Sequence, residues 1–160
     1  MEITTSRSIP RAIALGILIC GTLDIADALL FFGLRSHVPP ARLLQNIASG
    51  LLAKPVFTGG NPTALLGLAI HYFIATVWVV IFVLAAQRIH WLFRQPILAG
   101  ALYGLIVYAV MNFVVVPASR IGPRPQPTGI VLVNAVLALV FCIGIAVALI
   151  NKRFAPLPLY

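Results

Sequence analysis

Apolar residues dominate four stretches of the chain, 9–34, 62–86, 95–116 and 128–150. Each is at least as long as the roughly 20 residues that cross a hydrocarbon core of about 30 Å, and the first is long enough to tilt. The breaks between them consist of Gly, Pro and polar residues. Gly59-Gly60 precede Asn61 and Pro62, which are expected as N-cap and first helical residue of the second span. The third is expected to stop at Pro117, and the fourth to begin after the Pro-rich turn 122–127. The first connector has a helical period of its own over 41–54, with Leu43, Leu44, Ile47, Ala48, Leu51 and Leu52 on one face and Arg42, Gln45, Asn46 and Ser49 on the other. The pattern predicts an all-α, polytopic membrane protein. It is a bundle of four transmembrane helices, with an interfacial amphipathic helix in the first connector lying apolar side down as a surface lid or a gate.

Composition narrows the class. Hydrophobic residues make up 61% of the 160 and charged residues 9%, where soluble domains have about 45–50% and about 25%. The mean hydropathy is +1.07. A soluble enzyme is excluded, and a single membrane domain over 1–160 is expected. The formal charge is +8, but the eleven Lys and Arg are spread through the connecting segments and only Lys152 and Arg153 are adjacent. That distribution suits anionic lipid headgroups, at about 1 kcal/mol per basic residue near the surface, and not nucleic acid. Six basic residues (Arg7, Arg11, Arg88, Arg94, Lys152, Arg153) flank one side of the membrane and five (Arg35, Arg42, Lys54, Arg120, Arg124) the other. This small bias predicts that both termini are cytoplasmic. Ala26-Asp27-Ala28 has the small-x-small form of a signal-peptidase site, but the apolar run continues through Phe31 and Phe32, so the first helix is expected to be retained. Cys20 and Cys142 sit inside apolar stretches, where Cys behaves as a small hydrophobe.

Polar residues inside the spans carry the functional signal, because each is costly in lipid unless something satisfies it. Apart from Glu2, the acidic residues of the protein are Asp24 and Asp27, both in the first span and sharing a face at i, i+3. Asp27 lies seven residues before Leu34, His71 nine after Pro62, Asn112 five before Pro117 and Asn134 six after Thr128. At about 1.5 Å per residue all four fall within about 7–14 Å of the interface that carries the long connector, with Asp24 and Tyr108 one turn deeper. The faces agree. Ala64, Gly67, His71 and Ala75 share one side of the second span, Gly100, Gly104, Tyr108 and Asn112 one ridge of the third, and Asn134, Ala138 and Cys142 one ridge of the fourth.

The simpler account of this layer is packing: interhelical hydrogen bonds of roughly 0.6 kcal/mol each, which suits Tyr108, Asn112 and Asn134. Two carboxyls beside a histidine are less ordinary, since like charges repel and such a group titrates as a unit. Asp24, Asp27 and His71 are therefore the candidate proton or ligand cluster, with Tyr108, Asn112 and Asn134 as its supporting polar layer. The expected function is a small membrane protein that binds or conducts a proton, cation or small polar solute, as a homo-oligomer or with a membrane-protein partner. The alternative is a non-transporting accessory or scaffold subunit of a membrane complex. A third reading, an intramembrane metal-dependent enzyme, has two carboxylates and an imidazole in its favour, but no HExxH, CxxC, GxSxG or Walker loop accompanies them. No catalytic, metal-binding or cofactor-binding residue is therefore named, and an enzyme is not the favoured reading.

The stretches 21–25 (GTLDI), 44–52 (LQNIASGLL) with Gly59-Gly60, and 66–73 (LGLAIHYF) resemble a family of small bacterial four-helix inner-membrane proteins to which no activity is attached. The resemblance covers most of residues 10–117 and is vaguer in the last helix. It implies a four-helix protein of a bacterial inner membrane, and no substrate or catalytic residue.

Overall fold

A computed structural model of the chain describes residues 7–157, and Glu2 lies outside the described residues. The first apolar run forms one helix, α1 (Ile9–Ser36), because nothing inside it breaks one. Ser8 Oγ accepts from Arg11 N–H at 3.4 Å, and Pro10 lies in the first turn, where no N–H is needed. His37 ends the helix in a left-handed conformation, φ 50°. Helix α2 (Pro40–Leu52) fills the connector, and a 3₁₀ turn, Lys54–Thr58, leads into α3 (Gly60–Ala86). A short α4 (His90–Arg94) precedes α5 (Pro96–Ala118) and α6 (Gly129–Phe154). Helices α1, α3, α5 and α6 are long and apolar enough to cross a membrane, and the chain is an all-α, multi-pass membrane protein. Both ends of the bundle's described chain lie on one side, where Ser8 N–H donates to the Phe154 carbonyl at 2.9 Å.

Three local expectations need correction. Helix α3 starts at Gly60, with Gly59 and not Asn61 as N-cap, so Asn61 and Pro62 sit in the first turn. Gly60 supplies a positive φ of 61° and its carbonyl accepts from Thr63 Oγ1 at 2.9 Å, which closes the turn earlier. Helix α5 passes Pro117 to reach Ala118, because a π turn over Met111–Val115 widens the backbone ahead of a residue with no N–H to give. The third correction concerns the polar face of α2. Gln45 and Ser49 are buried, while Leu51 and Leu52 are 56% and 42% exposed. Gln45 Nε2 donates to the Gly60 carbonyl at 3.0 Å and to Thr63 Oγ1 at 3.2 Å, so Gln45 of the polar face ties α2 to α3 beside the fully buried Ala48 of the apolar face, while Arg42 and Asn46 stay exposed as expected. Backbone contact reinforces the hold: a Cβ on Gly67 would collide with the Leu44 carbonyl.

In lipid, helices associate by close packing and not by burying apolar surface from water, so small residues decide where backbones touch. Gly100 and Gly104 of α5 meet α6 across Gly144. A Cβ on Gly100 would stand 2.7 Å from the Gly144 carbonyl oxygen, and one on Gly104 2.5 Å from that of Leu139. The terminal half of the bundle is closed around Cys20, Val79, Phe82, Val83, Val107 and Val147, each at most 1% exposed. Toward the connector side the first half of α6 draws away from α5, and the bundle opens.

Candidate functional site

Where α6 diverges, the helices leave two adjoining cavities. The deeper has a volume of about 310 Å³ and runs from Phe32 and Ile47, near the connector, to a floor of Asp24, Trp78, Val107 and Ile143. Val107 is the midpoint of α5, so this space ends halfway along the span, above the closed apolar core. The second, a lateral cleft of about 480 Å³, is lined by Asp24, Asp27, Asn112, Asn134 and Arg124 among apolar neighbours. Both volumes lie within the range of about 300–1,000 Å³ usual for small-molecule pockets.

His71 is placed by the small-residue face of α3, on which Ala64, Gly67 and Ala75 are buried with it as the spacing predicted. Its Nε2 lies 2.8 Å from the Gly21 carbonyl oxygen. A carbonyl only accepts, so Nε2 carries a hydrogen whatever the charge of the ring. Nδ1 is then the nitrogen that gains or loses a proton, and it faces Asp24 Oδ2 at 3.9 Å. This is ion-pair range and not hydrogen-bond range. The imidazole and the carboxyl therefore stand side by side as an ion pair at the floor of the deep cavity, each with its own proton site.

The third and fourth spans complete the layer unequally. Asn134 Nδ2 donates to Asp27 Oδ2 at 2.9 Å, joining α6 to α1 across 107 residues of sequence. Asn112 lines the cleft, but its Nδ2 donates within its own helix, to the Tyr108 carbonyl at 3.0 Å. Tyr108 lines neither cavity, and its contribution is that carbonyl. Five of the six candidates thus line the two cavities, and Tyr108 does not. Each of these bonds uses one of the amide's two N–H groups, so Asn112 and Asn134 each keep an N–H and a carbonyl oxygen, and the two carboxylates make the inner wall of the cleft richer in acceptors than in donors.

Arg124 was counted in the sequence only as a loop charge, yet it lines both cavities. The loop that carries it is anchored. Arg120 N–H donates to the Gly50 carbonyl at 3.0 Å, Ser119 Oγ accepts from Ile121 N–H at 3.2 Å, and Gln126 Nε2 reaches the Asn112 carbonyl at 3.5 Å. Its place in the turn 122–127, between two spans that both carry an inward amide, was the available signal. Among the described residues, the ion pair found is His71 with Asp24, so Arg124 stands at the rim without engaging either carboxylate within 4.0 Å.

Cys20 is fully buried with Sγ 3.8 Å from the Ile143 carbonyl oxygen, and both it and Cys142 are free thiols. Among the described residues no group of three or more His, Cys, Asp or Glu comes together to hold a metal ion. No protein-family model, curated protein or solved structure matches this chain.

Proposed function

We propose that this protein binds a proton or a small cationic or polar solute in an intramembrane cleft reached from the side that carries the α1–α3 connector. One observation carries the reading. The two aspartates, His71 and Asn134 border cavities that open toward the connector and stop at mid-span against the apolar core. A bundle held together only by hydrogen bonds has no need of such a space. The closed terminal half favours one-sided binding over conduction through a single bundle, and transport would require either a rearrangement of that core or a pathway between copies of the chain. The basic residues on both flanks suit anionic lipid. The count of six against five supports cytoplasmic termini, and the sequence resemblance supports a bacterial inner membrane. The cleft then faces the periplasm.

A specific bond favours a second reading, a scaffold or accessory subunit: Asn134 to Asp27 ties α6 to α1 as a structural hydrogen bond would. The two readings diverge in thermal unfolding of the detergent-purified protein across acid to alkaline pH, for wild type and for Asp24→Asn/Asp27→Asn. The titratable and charged groups near the carboxyls are His71, Arg124 and, as electrostatic neighbours, Cys20 and Cys142. A binding site whose carboxyls exchange protons gives a pH-dependent transition that the double variant loses. Parallel curves would exclude carboxyls that exchange protons over this range and turn the balance to the scaffold.

A further inference from the structure

The lateral cleft separates its charges. At its inner wall Asp24 and Asp27 supply carboxylate oxygens, and Asn112 and Asn134 add amide oxygens, each amide having one of its two N–H groups bonded within the protein. At its rim Arg124 presents a guanidinium with five donors and no acceptor. Asn134 is five residues into α6 and Asn112 six before the end of α5, about 8–9 Å below the loop that carries Arg124. An acceptor-rich floor calls for a donor-rich cation, and a free guanidinium calls for an acid. Between them lies a volume of about 480 Å³.

We propose that the ligand of this cleft is a small zwitterion carrying a primary ammonium and an acidic group, its ammonium among Asp24, Asp27, Asn112 and Asn134 and its acid on Arg124. The proposal rests on the binding reading above and adds the chemical class. A simple cation leaves Arg124 unused, and a simple anion meets two carboxylates. The direction of the dipole also separates a free solute from a lipid. In an aminophospholipid the ammonium is the outermost group and the phosphate lies nearer the tails, whereas here the ammonium subsite is the deeper one. The cleft is therefore built for a soluble zwitterion that enters ammonium first.

The test uses the full chain in detergent, with binding read as a saturable rise in unfolding temperature and by calorimetry. The probes are glycine, β-alanine and γ-aminobutyrate, whose charge separation increases in that order, with methylammonium and acetate as single-charge controls. At least one zwitterion should bind at least about tenfold more tightly than methylammonium. Arg124→Gln should remove that advantage while leaving methylammonium unchanged, and Asp27→Asn should weaken both. A zwitterion no better than methylammonium, or one indifferent to Arg124→Gln, overturns this proposal and leaves the cation site standing. If methylammonium and all the zwitterions fail to bind, and the pH transition is also absent, the binding reading itself falls. Competition seen in phosphatidylethanolamine nanodiscs but not in phosphatidylcholine nanodiscs would assign the cleft to a headgroup and overturn the soluble ligand.

Discussion

The seam between α5 and α6 is the feature on which the cleft depends, and Gly104→Ala tests it. The added Cβ would stand 2.5 Å from both the Leu139 carbonyl oxygen and Val140 Cα. Both are backbone atoms, so no rotamer change relieves the clash. Reaching ordinary contact at 3.4 Å requires the helices to part by about 0.9 Å. Overpacking of this kind costs about 1–3 kcal/mol, partly offset by the helix preference for Ala over Gly of about 0.8–1.0 kcal/mol. The net expectation is a loss of about 0–2 kcal/mol. Gly33→Ala in α1 is the internal control, because a Cβ there meets nothing within 4 Å and only the propensity gain remains. Because the propensity gain is common to both, denaturation in mixed micelles, followed by circular dichroism, should separate the two variants by the overpacking cost, about 1–3 kcal/mol. If Gly104→Ala is as stable as Gly33→Ala, the backbone contact is not what holds α5 and α6 together.

Three further substitutions probe single links. Gln45→Leu removes the donor that fastens α2 to the start of α3, at about 1 kcal/mol, and should speed hydrogen exchange over 40–52; unchanged exchange would mean that packing alone holds α2. Asn151 is fully buried in α6 with neither Nδ2 nor Oδ1 hydrogen-bonded, so Asn151→Leu should be neutral or stabilising by up to about 1 kcal/mol in the same denaturation assay. A clear loss would reveal a partner for that amide. His71→Phe keeps an aromatic ring on the α3 face but loses the bond to the Gly21 carbonyl, and should lower stability by about 1 kcal/mol. Stability equal to wild type would show that this bond contributes nothing to the fold.

The four spans were legible because length and hydropathy identify transmembrane helices almost without regard to packing. The inward face of α3 was legible for a related reason: Ala64, Gly67, His71 and Ala75 differ in size or polarity from the Leu, Ile and Val around them. Helix α2 is the helix that its period predicts, and the departure is confined to two residues of its polar face, because amphipathicity is defined against water while these two turn to protein. Gln45 and Ser49 look solvent-facing by composition, yet Gln45 finds acceptors in the Gly60 carbonyl and Thr63 Oγ1 at the start of α3 and Ser49 donates to the Asn46 carbonyl of its own helix, partners that no period along α2 encodes. Arg124 was invisible as a site residue for another reason. A loop charge becomes part of a cavity only through anchors such as Arg120 to Gly50, and those are main-chain bonds. Tyr108 shows the converse, since correct depth and face still left it outside both cavities.

The π turns had no sequence signal, yet one of them sets how α6 serves two environments. In the terminal half, Gly144 and Val147 face the closed core, and in the connector half Asn134 faces Asp27. The wide turn Leu139–Ile145, where Ala146 N–H reaches back five residues to the Phe141 carbonyl, lies between them and resets the phase of one half against the other. A π turn holds one residue more than the α turn it replaces, so deleting Phe141, whose side chain is 57% exposed, should convert the wide turn to an ordinary one and keep the two halves in their present phase. The glycine contacts that anchor the terminal half then keep their places, and Asn134 stays on Asp27. A double-mutant cycle between Asp27→Asn and Asn134→Leu measures this directly. The coupling should be about 0.6 kcal/mol, and at most about 1.7 kcal/mol, in the parent chain and in the deletion background alike. Coupling lost on deletion would show that the wide turn does more than absorb one residue, and the phase argument would fail while the hydrogen bond itself stood.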